Sequence, residues 1–586
     1  MKVALRRTLP MALLWLMISA MLIWFSWDRI ITRSGWDPDD QLRLVQLRDF
    51  LGGQSWFDTT QYRMNPPDGA PMHWSRLIEL PLALIVIALT PLTGAPVAEM
   101  VAGAAVPLLC LGGIAFLLSG IAEKIGGRGA GIAAALLTLI SPGLLMQLQP
   151  MRIDHHGWQI FCAVLALATL MWTDARKAGF VMGAALAIWM HISLEGAPMT
   201  AAFFGILGWR WILDRVQAVR LFWTLCSFAG LSAIVFLGTQ AQGFAAQNYC
   251  DTISPTHIWA ILAAVALLLP AIHLKPQHAG LRAGALALAG VTALGVLIWM
   301  TPSCTQGAFS DLDPIVRQFW YAHVTEGLPA WYHDSLVVIA FMTPLAVALI
   351  ALWAAFRWVD TAHRARLLQL GFFLVYGSLL SLLVFRTVSV ATAFTIVPTA
   401  LCLAAVVRRY PVEPVFLRRM GLVAIALILM FSGLIAASIA QAFISPGNTA
   451  VKSNAKSQTA LEKCESIVSI AALSRLPTGN IVAPFDLGPA ILMTTQHSVL
   501  ASSHHRNQRG MRDQIDILRL PSDQARPIML RHAITYLVAC PGEEELNNYA
   551  KSNPVGLWAQ IEKGTAPDWL VYQGLMGKGL KVWRVR

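Results

Sequence analysis

Polar positions are rare along most of this chain, and they cluster between long apolar runs. The first run, 10–27, follows the basic residues Lys2, Arg6 and Arg7 and ends in Trp24, Phe25 and Trp27. It has no small-residue cleavage site, so it reads as an uncleaved anchor. Further runs long enough to span a bilayer lie near 98–120, 129–148, 158–174, 178–193, 199–214, 221–239, 257–273, 283–301, 336–356, 367–385, 389–406 and 420–442. With the anchor they predict about thirteen transmembrane helices. The run 80–94 is short and broken by Pro91, which suits a re-entrant or interfacial helix. From 445 onward the pattern turns polar and mixed. It predicts helix 456–474, strand Asn480 to Phe485, strand His497 to Ser502, helix 512–519, strand Ile534 to Ala539, helix 544–563 and a terminal hairpin ending Lys581 to Val585. The expected fold is therefore mostly α: a polytopic membrane domain, 1–444, followed by a small α/β domain, 445–586.

Composition sharpens this picture. Of 586 residues, 56% are hydrophobic and 13% charged, and the mean hydropathy is +0.58. A water-soluble globule has too little interior for that much apolar surface, which excludes a soluble enzyme, a disordered chain and a disulfide mini-scaffold. The net charge of +12 suggests nucleic acid until the basic residues are placed. Lys124, Arg128, Arg176, Lys177, Arg215, Arg220, Lys275, Arg282, Arg357, Arg364, Arg366, Arg408, Arg409, Arg418 and Arg419 fall in alternate short loops, as the positive-inside rule requires of cytoplasmic loops. The count works only if 80–94 does not cross. The surplus is topological, and no nucleic-acid partner is expected. The implied location is a bacterial inner (plasma) membrane, multi-pass, with a cytoplasmic N-terminus and a periplasmic C-terminal domain. Cys110, Cys162, Cys226 and Cys402 lie in spans and read as small apolar residues. The other four fall outside, in an oxidising compartment, and predict the pairs Cys250–Cys304 and Cys464–Cys540.

Three outer segments, 28–79, 149–157 and 302–335, hold the candidate chemistry. The first opens Asp37-Pro38-Asp39-Asp40-Gln41-Leu42-Arg43; three carboxylates so close together repel unless a cation sits among them, the alternative being a solvated acidic turn. The second packs Arg152, Asp154, His155 and His156 into about ten residues against the bilayer, where ionisable groups are costly. A carboxylate two residues from an imidazole suits Mn²⁺ and tolerates Mg²⁺; a histidine proton relay is the competing reading. The third carries Val324-Thr325-Glu326-Gly327-Leu328-Pro329.

Taken together, these segments resemble the catalytic subunits of oligosaccharyltransferases. Asp37-Pro38 with Arg43 is similar to the family's Asp-Pro-x-x-x-x-Arg signature. Asp154-His155-His156 looks like the Asp-His-His form of its second acidic motif. Val324-Thr325-Glu326 with Pro329 looks like its Ser-Val-Ser-Glu-x-x-Pro loop. The resemblance implies GT-C architecture with thirteen spans and an outward C-terminal domain. It also implies transfer of a glycan from a polyprenyl-phosphate or -diphosphate carrier to an acceptor. By this resemblance Asp37, Asp154 and His156 hold a divalent cation (Mg²⁺ or Mn²⁺), with Asp39 and Asp40 as possible support. Glu326 completes the catalytic set with Asp37 and Asp154 and polarises the acceptor. Arg386, alone among apolar residues, reads as a donor-phosphate contact or a snorkelling arginine, with His155 and Arg152 as further phosphate ligands.

One motif departs from the family. Where it has Trp-Trp-Asp-Tyr-Gly, this chain reads Pro484-Phe485-Asp486-Leu487-Gly488, keeping Asp486 and Gly488 but losing the aromatic edge. A basic cluster follows at His504, His505, Arg506, Arg509 and Arg512, and with Asp486 and Gly488 it marks the acceptor region. The expected activity is a metal-dependent membrane glycosyltransferase with a polyprenyl-linked sugar donor. Membrane lipid surrounds it, and an envelope glycan or lipid serves as acceptor rather than a sequon asparagine. The alternatives are a protein N-glycosyltransferase with altered sequon recognition and, from another class, a secondary transporter or flippase.

Overall fold

A computed structural model describes residues 2–239, 247–444 and 461–586. All the expected apolar runs lie on helices. Among the described residues nine helices are long and apolar enough to cross a membrane, or ten if Arg128–Ile140 and Pro142–Leu148, bent by 60°, form one span. The bend follows from Pro142, which forces Ser141 out of the helical region into extended backbone (ψ 116°). Four expected runs fall on helices that do not pass the same length and apolarity test: Leu9–Phe25, His156–Thr169, Ala175–Ile192 and Ala197–Leu213. This is a multi-pass membrane protein, because its helices leave large apolar faces that no protein covers. Only 6% of the most apolar window of Ala279–Met300 is buried, against 78% for Phe385–Val412, the central helix of the bundle. Two basic residues from the short loops tie helix ends together: Arg220 donates to the carbonyls of Thr169 and Trp172, and Arg282 to that of Ile212.

The segment expected to stop short of crossing is helix Glu79–Thr93, extended by a 3-10 turn at Arg76–Ile78. Length and composition alone place it among the nine. Its first residue and the helix that follows it, Ala95–Gly126, are both tied to one element. Glu79 pairs with Arg43 of helix Pro38–Leu51 at 3.0 Å, and Glu99, just past Gly94, pairs with Arg48 of that same helix at 2.7 Å.

The C-terminal sheet has the order β2-β1-β3-β5-β4, with β1 Asn480–Val482, β2 Ser498–Val499, β3 Ile534–Ala539, β4 Leu570–Met576 and β5 Leu580–Val585. The first three strands are parallel, and the terminal hairpin adds antiparallel to β3. Strand β1 ends before Pro484. The expected helix 544–563 is two helices, Glu544–Ser552 and Leu557–Glu562, because Pro554 forces Asn553 into extended backbone (ψ 97°). Of the expected helix 456–474, residues 456–460 lie outside the described residues. The rest is broken at Ser466, which starts a new short helix, Ile467–Ile470. Helices Leu487–Thr494 and Ser522–Arg531 were not expected. Both disulfides form as expected, Cys250–Cys304 and Cys464–Cys540.

The outer loops are part of this lobe. Val499 exchanges backbone hydrogen bonds with Arg63 and Asn65, so the first loop continues the sheet beyond β2. Leu42, Val45, Met64 and Met72 share one core with Ile481, Val499, Tyr536 and Val582. Leu312, Val316 and Phe319 of the third loop share another with Met511, Leu518 and Trp558.

Candidate functional site

The site begins at a helix N-terminus. Asp37 (φ −143°, ψ 177°) caps helix Pro38–Leu51 by accepting from the Asp40 amide at 3.0 Å, and Asp40 Oδ2 accepts in return from the Asp37 amide. Asp-Pro with a carboxylate at the third helical position is a capping-box pattern, so the acidic segment is an ordered helix start and not a solvated turn. Asp40 then reaches across the fold. Its Oδ1 accepts from the amides of Ile153 and Asp154 at 2.8 and 3.0 Å, and its Oδ2 from the Trp36 amide at 2.9 Å. This buried carboxylate clamps the second outer loop against the first.

Arg152 lies among the acids. Its guanidinium pairs with Asp37, with Asp40 at 3.1 Å and with Asp154 at 3.1 Å. Asp154 Oδ1 accepts from the His156 amide, and its Oδ2 holds His156 Nδ1 at 2.7 Å, while His155 packs on His156 with ring centroids 4.3 Å apart. His156 Nε2 is buried without a hydrogen-bond partner. The ligand atoms of Asp37, Asp40 and Asp154 lie within 4.8 Å of one another, as do those of Asp154, His155 and His156, so Asp154 joins the two groups.

Electrostatics follow from this crowding. Desolvation, then the Asp37, Asp154 and Glu326 carboxylates, raise the Asp39 pKa well above the carboxylate range. Burial and Asp37 push Asp40 up to about 7 although Arg152 pulls the other way. Burial would also raise Asp154, but Arg152 and His156 override it and hold that carboxylate well below its ordinary range. His156 is the converse: burial lowers it, and Asp154 outweighs burial and holds it up at about 9. Burial and the charge of His156 depress His155 to about 3. The positive charge that these carboxylates require thus comes from Arg152 and a proton on His156. The residues fit a divalent cation in place of that proton: clustered carboxylate oxygens and a shielded, unpartnered His156 Nε2 that becomes a ligand once His156 gives up its proton.

A second pairing stands beside this cluster. Arg386 Nη1 bonds Glu195 at 2.5 Å and lies 3.5 Å from Glu326. Glu195 also accepts from Gln159, whose own oxygen accepts from Trp189 Nε1. Burial favours the neutral form of Glu195, yet the charge of Arg386 wins and lowers its pKa. His156, Gln159, Glu195, Arg386 and Ser389 line a common cavity that reaches down into the bundle. The amide of Phe385 bonds the Leu328 carbonyl at 3.0 Å, which fixes the Glu326 loop to the Arg386 loop. Glu326 is not among the clustered ligand atoms; it is half-exposed and reaches the site through Arg386. Sequence reasoning missed Glu195, which stands in a short loop with no motif around it.

Of the acceptor-region residues, Asp486 hydrogen-bonds Ser503 and keeps an open face, yet desolvation and then the Asp37 carboxylate raise its pKa, so it borders the same crevice. Gly488 lies where a Cβ would come within 2.7 Å of the Ala501 carbonyl, so the helix packs directly on that strand end. His505 and Arg506 turn the other way, onto Asp251 at 2.6 and 2.5 Å.

No family model matches this chain, and no curated protein matches it by sequence. Solved structures of the oligosaccharyltransferase of Archaeoglobus fulgidus do match in shape. The complex of that protein, AglB, with an inhibitory peptide and a dolichol-phosphate superposes with a TM-score of 0.63 at 13% identity, covering 96% of this chain and 72% of that one. The form tethered to an acceptor peptide containing the NVT sequon gives 0.62 at 13% identity over 98% and 74%. The complex with Zn and sulfate gives 0.58 at 15% identity over 97% and 72%. At such identities the likeness establishes architecture: the chain has the GT-C membrane fold that the archaeal oligosaccharyltransferase also has.

Proposed function

We propose that the chain is a membrane glycosyltransferase that moves a sugar or oligosaccharide from a polyprenyl-(di)phosphate carrier to an envelope acceptor at the periplasmic face of a bacterial inner membrane. The observation that carries this reading is the meeting of Asp37 and Asp154, over a hundred positions apart in the chain, with His156 Nε2 left buried and unpartnered beside them. The match to a relative crystallised with a dolichol-phosphate supports the donor class. A transporter would place its coupling carboxylates near the middle of the membrane. Here they stand against the C-terminal lobe.

Asp37, Asp154 and His156 would hold the divalent cation, Mg²⁺ or Mn²⁺, with Asp40 fixing the loop that presents two of them. Such an ion supplies neutralisation of the charge that develops on the departing carrier phosphate. Arg386 is positioned to bind that phosphate from the cavity side, once it exchanges Glu195 for an anion that can accept two parallel hydrogen bonds. Glu326, beside Arg386 and half-exposed, faces the acceptor and takes its proton. Arg152 balances the acids and keeps Asp154 ionised. The acceptor we favour is a lipid, polysaccharide or other envelope glycan. At Pro484-Phe485-Asp486-Leu487-Gly488 no tryptophan is present to hydrogen-bond a sequon hydroxyl.

The test uses membranes carrying wild type, Asp37→Ala, Asp154→Ala or Glu326→Ala and a labelled undecaprenyl-linked glycan. Metal-dependent consumption that each variant loses supports the reading; unchanged turnover in all three ends it. Mass spectrometry of envelope lipids, glycans and proteins with and without the gene then identifies the acceptor.

A further inference from the structure

A second group of ligands stands outside the carboxylate cluster, and the proposed activity does not use it. His73 of the first loop, Asp251 beside the Cys250–Cys304 disulfide and His505 of the C-terminal lobe each offer one ligand atom, all within 4.8 Å of one another. We propose that these three residues bind a transition-metal ion of the Zn²⁺ class. The ion would serve as a clasp joining the two loops to the lobe, distinct from the cation held by Asp37, Asp154 and His156.

The donor set and its surroundings argue for this. Two imidazoles and one carboxylate are the ligands Zn²⁺ prefers, whereas Mg²⁺ and Ca²⁺ prefer oxygen alone. Ligand atoms around a tetrahedral ion with bonds of about 2.0 Å stand roughly 3.3 Å apart, so closing the observed spacing needs only side-chain adjustment. Asp251 is oriented as an outer hydrogen bond orients a ligating carboxylate: Arg506 holds Oδ1 at 2.5 Å, and Oδ2 points to His505 Nε2 at 2.6 Å.

A histidine–aspartate ion pair would account for His505 and Asp251. It leaves His73 unexplained, because His73 Nδ1 is shielded from solvent and has no hydrogen-bond partner. His504 stacks on His73 at 5.0 Å, and its Nε2 is likewise buried without a partner, which makes it the neighbouring candidate for the fourth position. Phe309 and Trp320 wall the group on the His505 side, and Trp74 on the His504 side. Trp74 in turn lies 4.4 Å under the Arg43 guanidinium, linking the clasp to the helix that carries Asp37.

The test uses the full-length protein in detergent, stripped with chelator, loaded with Zn²⁺, desalted and assayed for bound metal. Asp154→Asn weakens the carboxylate-cluster site and leaves the clasp. We expect this variant to retain about one equivalent of Zn²⁺ and, with Co²⁺ in its place, to show the strong visible bands of four-coordinate cobalt. Adding His73→Gln, which removes no hydrogen bond at Nδ1, should abolish both signals while the protein stays monodisperse. Asp251→Asn, which keeps an oxygen for Arg506, should do the same and guards against a folding defect in the first variant. Absence of retained Zn²⁺ in Asp154→Asn, or retention unaffected by His73→Gln and Asp251→Asn, overturns the clasp. Mg²⁺- or Mn²⁺-dependent glycan turnover is read separately, so either assignment can fail without the other.

Discussion

Two acidic clusters border the C-terminal lobe, and they are built in opposite ways. In the first, Asp154 is held ionised by Arg152 and His156, and Arg152 also pairs with Asp37 and Asp40. In the second, Glu543 and Glu545 sit near Asp486 without a basic partner among the described residues. Glu545 accepts from the Phe485 amide and the Tyr549 hydroxyl, and burial followed by Asp486 pushes it up to about 8 despite those bonds. The Glu543 carboxylate is buried, and burial with Glu545 raises it well above its usual range although the Cys540 amide pulls the other way. A crowded carboxylate is therefore held ionised at Asp154 and neutral at Glu543 and Glu545. What separates them is the supply of positive charge from a second chain segment.

The contrast breaks most easily by mutation. Asp154→Ala should lower turnover of a polyprenyl-linked glycan by ~10²–10³ or more, since it removes charge stabilisation at the reacting phosphate. Glu545→Gln, which keeps a hydrogen-bonding oxygen and a shape close to the protonated acid, should leave turnover unchanged. Equal losses in the two variants would erase the distinction. Arg386→Gln should cost roughly 10–100-fold in kcat/KM by removing a charged phosphate contact. Glu195→Gln should cost less, because it frees Arg386 rather than removing it; steady-state kinetics on both variants rank them.

Stability against pH sharpens the comparison further. The folded-state pKa of Glu545 is raised, so its contribution is fully present below the ordinary carboxylate range and is lost as pH rises through about 8. Thermal unfolding in detergent should show a melting temperature that falls as pH rises from the ordinary carboxylate range to about 8 and levels off above it, and Glu545→Gln should flatten that fall. An Asp154→Asn variant should show no such flattening, because Asp154 is already ionised throughout that window. The smallest effect is expected at Gly488, where a Cβ would meet the Ala501 carbonyl at 2.7 Å. Gly488→Ala should destabilise the lobe by about 1–3 kcal/mol, read as a lower melting temperature with the chemistry retained.

Much of this was legible in the chain before its fold was known, for reasons that are local. Apolar runs report helices because a lipid-facing or bundle-facing span has no need of polar residues. The cysteine pairings followed from which loops lie on one side. Asp37, Asp154 and His156 announced themselves because charge beside a bilayer is costly. What escaped is long-range. The helix Pro38–Leu51 was hidden in a loop, although Asp37-Pro38 with Asp40 is a capping signal. Arg63, which bonds carbonyls of Leu492 and Thr495, fastens the first loop to a lobe more than four hundred residues away, and no periodicity reports that. Glu195 was passed over because a single glutamate in a short loop carries no pattern; its meaning comes from Arg386, brought to it by the fold. Asp40 reads from the sequence as possible support for the cation; the fold adds a task no pattern reports, since its oxygens also accept from the amides of Trp36, Ile153 and Asp154 and from Arg152.

The central claim is that Asp37 and Asp154 act on one ion. Mn²⁺ binding to the purified protein, followed by electron paramagnetic resonance, tests it in wild type, Asp37→Asn, Asp154→Asn and the double variant. If both carboxylates hold the same ion, each single change should weaken binding by about tenfold or more, and the double variant should fall short of the summed losses, as coupled neighbours do. Mn²⁺ affinity that is unchanged by either substitution, or losses that add independently, would contradict the account.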